Sequence, residues 1–157
     1  MVRFVIMYTG PSFLMRDSVF FSFPPTVAFT VRFSTDPAII GHRGTLKFNT
    51  FVTNIGGGYD PHTGIFTAPT SGIYVFYLSM MSDNTKWVEV ALFRDGSVLD
   101  QAHADGHPTQ SFADQGSLLV TTHLNRGQEV WLEQTGGAEH VRGRGWTVFS
   151  GYLLKAD

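Results

Sequence analysis

Short runs of β-branched and aromatic residues alternate along the chain with clusters of Gly, Asn, Asp and Pro. No segment keeps the three- and four-residue apolar spacing of an amphipathic helix, whereas short apolar runs between turn-forming residues are typical of β-strands. The pattern therefore predicts an all-β protein, and about nine or ten strands suit a two-sheet jelly-roll sandwich. The predicted strands are 26–33, 45–53, 64–67, 72–82, 86–94, 97–102, 111–124, 128–134 and 146–155.

The predicted strands differ in how their two faces are patterned. The strand at 45–53 has one apolar face, formed by Leu46, Phe48 and Val52, and one polar face. The strands at 72–82 and 146–155 are apolar on both faces. In the first of them, the alternating apolar sets are Ile73, Val75 and Tyr77 on one face and Tyr74, Phe76, Leu78 and Met80 on the other. A two-layer sandwich buries one face of each strand, so the other must be covered by the N-terminal segment or, as we expect, by another subunit.

Length and composition indicate a single globular domain. The chain has 157 residues, of which 43% are hydrophobic, enough to bury a core without disulfides or a metal. It contains no cysteine, which excludes disulfides and thiol chemistry. The net charge is −2 and the basic residues form no run, so nucleic acid is not an expected partner.

The pair Pro24-Pro25 marks the predicted start of the domain, because proline cannot donate to a sheet ladder. We expect an N-terminal segment at 1–25 and the globular domain at 26–157. The segment is apolar and carries Arg3, as a secretory leader does, but its uninterrupted apolar run, Phe4 to Tyr8, is short for one. A degenerate leader, an extra edge segment and a linker from a longer chain all remain open. No stretch approaches the roughly 20 apolar residues of a membrane span.

Aromatic, Asn and Gly residues recur at fixed offsets in the middle of the chain. They are Phe48, Asn54, Tyr59, Phe66, Gly72, Tyr74 and Phe76. This spacing resembles the signature of the complement C1q globular-head family, with Leu78 where the signature ends in an aromatic. The segments Val148 to Leu154, Gln128 to Leu132 and Val27 to Val31 are also similar to that family. The residues themselves are best explained as core and turn positions rather than as ligand contacts.

The resemblance implies a ten-stranded jelly roll that assembles as a homotrimer. No collagen-like or heptad repeat precedes the domain here, so we expect the heads alone to hold the trimer together. The expected function is that of a stand-alone, secreted, lectin-like protein that binds carbohydrate or other microbial surface patterns in innate immunity. The alternative is a cytokine-like trimeric ligand of a cell-surface receptor, because the fold is shared with the tumour necrosis factor group.

The most polar stretch, from Asp100 to Asp114, is the candidate metal site. The resemblance aligns Asp105 and Asp114 with calcium ligands of related heads, and oxygen ligands in a loop suit that ion. His103 and His107 within the same stretch would instead favour a transition metal. A solvated loop without any metal is the third possibility.

The loop from Glu139 to Gly145 is the candidate ligand site. His140, Arg142 and Arg144 lie in it, and guanidinium groups suit the carboxylate, sulfate or phosphate of sialylated glycans or lipopolysaccharide. The alternative is a solvated loop in which an Arg pairs with Glu139. Trp87 is a further candidate for stacking on a sugar, although a Trp at the start of a strand also suits a core or interface position.

Catalysis has little support in the sequence. It contains no G-x-S-x-G elbow, no phosphate-binding loop and no H-E-x-x-H motif. A jelly-roll enzyme of the cupin kind would need clustered His and Glu ligands, and the His-x-His pair of such sites is missing. The chain is therefore predicted not to be an enzyme.

Overall fold

The computed structural model describes residues 25–106 and 112–157. The regular secondary structure within these residues is all β-strand. The strands are β1 (Ala28–Arg32), β2 (Ala38–Ile39), β3 (Thr50–Ile55), β4 (Tyr59–Asp60), β5 (Ile65–Thr67), β6 (Gly72–Met81), β7 (Trp87–Arg94), β8 (Ser97–Asp105), β9 (Gln115–Leu124), β10 (Glu129–Gly137), β11 (His140–Val141) and β12 (Val148–Ala156). No helix in this part of the chain is long and apolar enough to cross a membrane.

Ten of these strands form two antiparallel, five-stranded sheets. The first sheet has the order β3-β1-β12-β6-β9, and the second has the order β4-β5-β10-β7-β8. The two remaining strands, β2 and β11, pair with each other. Strands from distant parts of the chain are neighbours, as in a jelly roll. The prediction of an all-β, ten-stranded sandwich is confirmed.

Aromatic rings from both sheets fill the space between them. The ring of Phe29 lies 5.0 to 5.2 Å from the rings of Tyr59, Phe66 and Phe149. Phe48, Phe66 and Tyr74 are at most 1% exposed, as expected for core residues. Each such buried ring contributes roughly 2 to 3 kcal/mol to stability.

Strand β6 has two apolar faces, as its sequence predicts. One face points into the sandwich, where Tyr74, Phe76, Leu78 and Met80 are fully buried. On the opposite face, Tyr77 is 41% exposed and lies directly across from Leu119 of β9, which is 66% exposed. Tyr152 of β12 lies across from Val75 and is 47% exposed. We call the surface formed by Val75, Tyr77, Leu119 and Tyr152 the outer face of the first sheet.

The predicted continuous strand at 45–53 is wrong, because the chain crosses between the sheets there. Leu46 donates its N–H to Leu132 of β10, just beyond the end of β5 in the second sheet, whereas β3 begins at Thr50 and pairs with β1 in the first sheet. Leu46 and Phe48 are buried as predicted, but Val52 is 59% exposed. The alternation is already shifted at the start of β3, where Phe51 lies opposite buried Val31, and a bulge in the pairing of β1 and β3 leaves Val52 without a partner.

Other strand bounds differ from the predicted ones by smaller amounts. Strand β9 begins at Gln115 rather than 111, β12 begins at Val148 and leaves Trp146 outside it, and β8 continues to Asp105. The short strands β2, β4 and β11 were not predicted, since two-residue pairings leave no periodic signal. Residues 1–24 of the predicted N-terminal segment (1–25), and His107, lie outside the described residues.

Candidate functional site

The predicted site residues gather at one end of the sandwich. At this end β6 stops at Met81, opposite the first residue of β9, and β7 starts at Trp87, opposite Asp105 at the end of β8. The loop before β12 also reaches this end, because Arg142 donates its N–H to the carbonyl of Met81. We call this region the loop end. It contains Trp87, Asp105, Asp114, His140, Arg142 and Arg144.

Arg142 is held by a two-point ion pair with Asp36. Its Nε and Nη2 atoms donate to the two carboxylate oxygens at 3.0 and 2.9 Å, and the N–H of Gly143 donates to the same carboxylate at 3.1 Å. The side chains of Arg142 and Asp36 are only 32% and 19% exposed. The alternative partner considered from the sequence, Glu139, instead lies 3.8 Å from His42.

The same contacts set the charge of the pair. The hydrogen bond from Arg142 lowers the pKa of the Asp36 carboxyl below its ordinary value of 3.8, and the N–H of Gly143 acts in the same direction. The hydrogen bond from Asp36 likewise raises the pKa of Arg142. The guanidinium of Arg142 is therefore charged but occupied, and it fixes the loop in place.

Arg144 differs from Arg142 because its side chain is exposed. Its N–H bonds to the carbonyl of Phe33, and its backbone has a positive φ of 47°. No ion pair involves its guanidinium within 25–106 and 112–157. Arg144 is thus the guanidinium of this loop that is open to an anionic ligand.

His140 is anchored by its strand and by an acidic neighbour. Its Nε2 atom lies 3.4 Å from Oδ2 of Asp83, and the two side chains are 28% and 37% exposed. The backbone of His140 pairs with Ile39 in the two-stranded sheet. The imidazole therefore sits beside Asp83 at the edge of the loop end, partly open to a ligand.

Asp105 and Asp114 are neighbours at the loop end. Oδ2 of Asp114 accepts the backbone N–H of Asp105 at 3.0 Å, and both residues are exposed. The hydroxyl of Ser82 accepts the N–H of Asp114 at 3.0 Å, which holds the start of β9 against the end of β6. Calcium takes six to eight oxygen ligands. The described part of the chain brings no third acidic or histidine side chain to these two.

Trp87 lies on the exposed face of the second sheet and is 46% exposed. Its ring stacks on that of His103, with centroids 5.9 Å apart, and Nδ1 of His103 lies 3.2 Å from Oε1 of Glu89. A side chain at Gly137 would put its Cβ 2.6 Å from the indole. The glycine thus makes room for the ring, which is available at the surface rather than buried in the core.

A second group of polar and aromatic side chains lies on the same sheet and was not predicted from the sequence. Trp131 of β10 and Phe93 of β7 stack at 5.6 Å with an angle of 8°. Next to them is a cleft of about 210 Å³ lined by Arg43, Glu133, Gln134 and Thr135. The alternation in β10 could have indicated that positions 131, 133 and 135 share a face. Nothing in the sequence indicates that Arg43, some 90 residues away, joins them.

The chain was compared with known proteins and structures. Residues 28–154 match the C1q domain family. The chain is 31% identical to mouse complement C1q tumor necrosis factor-related protein 3 over 83% of its length, and 30% identical to human multimerin-2 over 95%. It spans 53% and 15% of the lengths of these two relatives.

Solved structures show the same fold at low sequence identity. The globular domain of zebrafish complement 1qA protein has a TM-score of 0.68 and 19% identity, and the match covers 83% of this chain and 99% of that one. The Eiger TNF of S. frugiperda has a TM-score of 0.71 and 15% identity, with 85% and 95% of the two chains covered. The sandwich, its strand order and the matched residues agree with one another, and the chain belongs to the C1q domain family.

Proposed function

We propose that this chain is a secreted, homotrimeric recognition head that binds carbohydrate or other microbial surface patterns, including lipopolysaccharide, in innate immunity. The observation that carries the proposal is the outer face of the first sheet. Tyr77, Leu119 and Tyr152 are 41%, 66% and 47% exposed there, on a sheet whose other side is the core. An apolar surface of this kind suits contact with further copies of the chain.

Trimer formation would let three binding sites of low affinity act together. A threefold axis running along the first sheet points the three loop ends in the same direction. Each loop end presents Arg144, His140 and Trp87, while Arg142 holds the loop in shape through Asp36. On a repetitive surface, the second and third contacts become intramolecular, so avidity exceeds the affinity of one head.

The proposed activity is binding without catalysis. The histidines that contact carboxylates, such as His103 and His140, have no hydroxyl nucleophile hydrogen-bonded to their rings in 25–106 and 112–157. Nucleophilic catalysis by a Ser hydroxyl activated by a histidine relies on such a pairing within hydrogen-bond reach. The loop end instead offers a guanidinium, an imidazole and an indole, which are recognition groups.

A glycan and lipopolysaccharide array tests the proposal. We expect the wild-type trimer to bind, R144A to lose binding, and the matched control R126A to keep it, because Arg126 is exposed in the turn before β10 at the opposite end. The array is run with and without a chelator. Binding that disappears with the chelator assigns a role to calcium at Asp105 and Asp114, whereas unchanged binding removes calcium from the proposal.

The alternative is a cytokine-like trimer that binds a cell-surface receptor. It is favoured by the similarity of the chain to mouse complement C1q tumor necrosis factor-related protein 3, whose name refers to tumour necrosis factor. A receptor ligand would show saturable binding to one cell-surface protein without dependence on glycans. That result, together with an array on which the wild type binds nothing, would replace pattern recognition by receptor binding.

A further inference from the structure

The cleft on the second sheet combines an open volume with a buried hydroxyl that has no partner. Its volume of about 210 Å³ is smaller than the roughly 300–1,000 Å³ of pockets for drug-sized ligands, and is suited to a single sugar ring. Thr135 lines it, and Oγ1 of Thr135 is buried without a hydrogen-bond partner among the described residues. Buried hydroxyls are normally paired, so an unpaired one beside a cleft points to a missing polar group.

The wall of this cleft is rigid on one side. Gln134 is fully buried, and its Oε1 accepts the N–H of Arg43 at 2.8 Å. The amide nitrogen of Gln134 donates to the carbonyl of Gly137 at 3.2 Å. One side chain thus joins the segment around Arg43 to the end of β10, and this wall of the cleft is preorganised.

The opposite wall carries exposed charge. Arg43 is exposed, and neither it nor Glu133 belongs to an ion pair within the described part of the chain. Because Oγ1 of Thr135 is covered, a ligand hydroxyl reaches it only when a wall side chain moves. The exposed side chain of Arg43 is the wall group with the most freedom to do so.

Glu133 connects the cleft to the aromatic pair beside it. The indole N–H of Trp131 points to Oε2 of Glu133 at 3.4 Å, and the ring of Trp131 stacks on Phe93. Trp131 and Phe93 face each other across β10 and β7, so both rings stand on the outer surface of the sheet. The apolar ring surface of Trp131 therefore borders the polar groups of the cleft. They are the carboxylate of Glu133, the guanidinium of Arg43 and the hydroxyl of Thr135.

This set of groups matches the chemistry of a neutral sugar. Adjacent ring hydroxyls can donate to the carboxylate of Glu133 and accept from the guanidinium of Arg43, while the C–H face of the ring packs on an aromatic surface. One acidic and one basic side chain cancel in charge, so the cleft gives no net preference for an anion.

We infer that the cleft formed by Arg43, Glu133 and Thr135, bordered by Trp131, binds one neutral hexose residue of a glycan. The inference rests on the proposed function, glycan recognition, and adds a contact site on the second sheet to the one at the loop end.

Fluorine NMR of protein labelled with 5-fluorotryptophan tests this site directly. The chain has three tryptophans, so three signals are expected, and each is assigned by its Trp→Phe variant. Methyl glycosides of glucose, galactose, mannose and N-acetylglucosamine are titrated into the full chain. We expect at least one of them to shift the signal of Trp131 in a saturable way.

Three variants separate a ligand site from a structural feature. E133Q and T135V should each weaken this binding by about tenfold, as expected when one hydrogen bond to the ligand is lost. The matched control E129Q should bind as the wild type does, because Glu129 lies on the same strand but outside the cleft. Thermal unfolding of each variant confirms that it is folded, and T135V should fold at least as well as the wild type because it removes an unpaired hydroxyl.

The outcomes distinguish this inference from the proposed function. A Trp131 signal that no glycoside shifts, or one shifted equally in E133Q and T135V, overturns the hexose site, even if the array shows glycan binding at the loop end. A hexose that shifts Trp131 while the array stays empty supports the cleft and overturns multivalent recognition. No binding in either experiment overturns both.

Discussion

Both carboxylate oxygens of Asp36 accept hydrogen bonds from the guanidinium of Arg142, at 3.0 and 2.9 Å, although 106 residues separate the two in sequence. The pair joins the segment after β1 to the loop before β12. It gives the two arginines of that loop different roles, since Arg142 supports the backbone and Arg144 faces solvent.

Loss of Arg142 should therefore cost stability. We expect R142A to lower the free energy of unfolding by about 1 to 2 kcal/mol, because the half-buried carboxylate of Asp36 loses a charged partner. R144A is the control and should stay within about 0.5 kcal/mol of the wild type. Urea unfolding followed by tryptophan fluorescence measures both. Equal unfolding of R142A and the wild type would show that the ion pair does not support the fold.

The contribution of this pair should also depend on pH. The pKa of Asp36 is lower in the folded chain than its ordinary value of 3.8, so the folded state binds this proton less readily than the unfolded state. The stabilisation is full above that ordinary value and is lost as the pH falls through the folded pKa. The difference in unfolding free energy between the wild type and D36N should be constant from neutral pH down to about pH 5 and shrink below pH 4. A difference that grows on acidification would contradict this assignment.

A buried hydrogen bond between Phe48 and the hydroxyl of Tyr59 is a second contact that should stabilise the fold. This hydroxyl accepts the N–H of Phe48 at 3.1 Å, and Tyr59 is 3% exposed. Burial of the hydroxyl raises the pKa of Tyr59, so the group stays protonated at ordinary pH. Y59F should cost about 1 to 3 kcal/mol because it leaves the N–H of Phe48 buried without a partner.

Y74F is the comparison for Y59F. The hydroxyl of Tyr74 donates to the carbonyl of Thr70 at 2.8 Å; Tyr74 is fully buried, but Thr70 is only partly buried, so water can bond to its carbonyl when the hydroxyl is removed. In thermal unfolding, the melting temperature of Y59F should be lower than that of Y74F, and the melting temperature of Y74F should be close to that of the wild type. The reverse order would show that the hydroxyl of Tyr59 is not what holds Phe48.

A charge on the outer face of the first sheet should dissociate the proposed trimer. Y77E places a carboxylate beside exposed Leu119, and burial of that charge between subunits would be costly. Sedimentation velocity should give three times the chain mass of 17.4 kDa for the wild type and a single chain for Y77E. V98E is the control, because Val98 is 50% exposed on the second sheet and should not affect assembly. A wild-type monomer would remove the trimer from the proposal.

The sequence predicted the architecture well where burial alone determines the pattern. Tyr74, Phe76 and Leu78 alternate with apolar residues on the other face of β6, and both faces could be recognised from that alternation. The crossing between the sheets near Phe48 could not be recognised. The same apolar spacing fits one continuous strand and also two short segments that belong to different sheets. The bulge that exposes Val52 depends on how β3 pairs with β1, which is a tertiary property.

The candidate site was predicted less completely, for a related reason. The stretch 100–114 and the loop 139–145 were each predicted because the polar residues within each are close together in sequence, but their meeting at the loop end was not predicted. The partner of Arg142 was missed because Asp36 is brought to it by the fold, and the cleft at Glu133 was missed because Arg43 reaches it from another part of the chain. Periodicity reports which face a residue occupies and not which distant residue it meets there.

The position of β12 has a consequence for how this protein is made. Gly151 in β12 pairs with Phe29 of β1 and with Phe76 of β6, so the centre of the first sheet is filled by the last of the twelve strands to be synthesised. Until that strand leaves the ribosome, β1 and β6 lack their common neighbour, and the apolar surfaces on both sides of β6 stay uncovered. Pairings between such distant segments form slowly. The first sheet of this domain is therefore complete only after β12 has been synthesised, and nascent chains that stall before residue 148 expose the surfaces that chaperones bind.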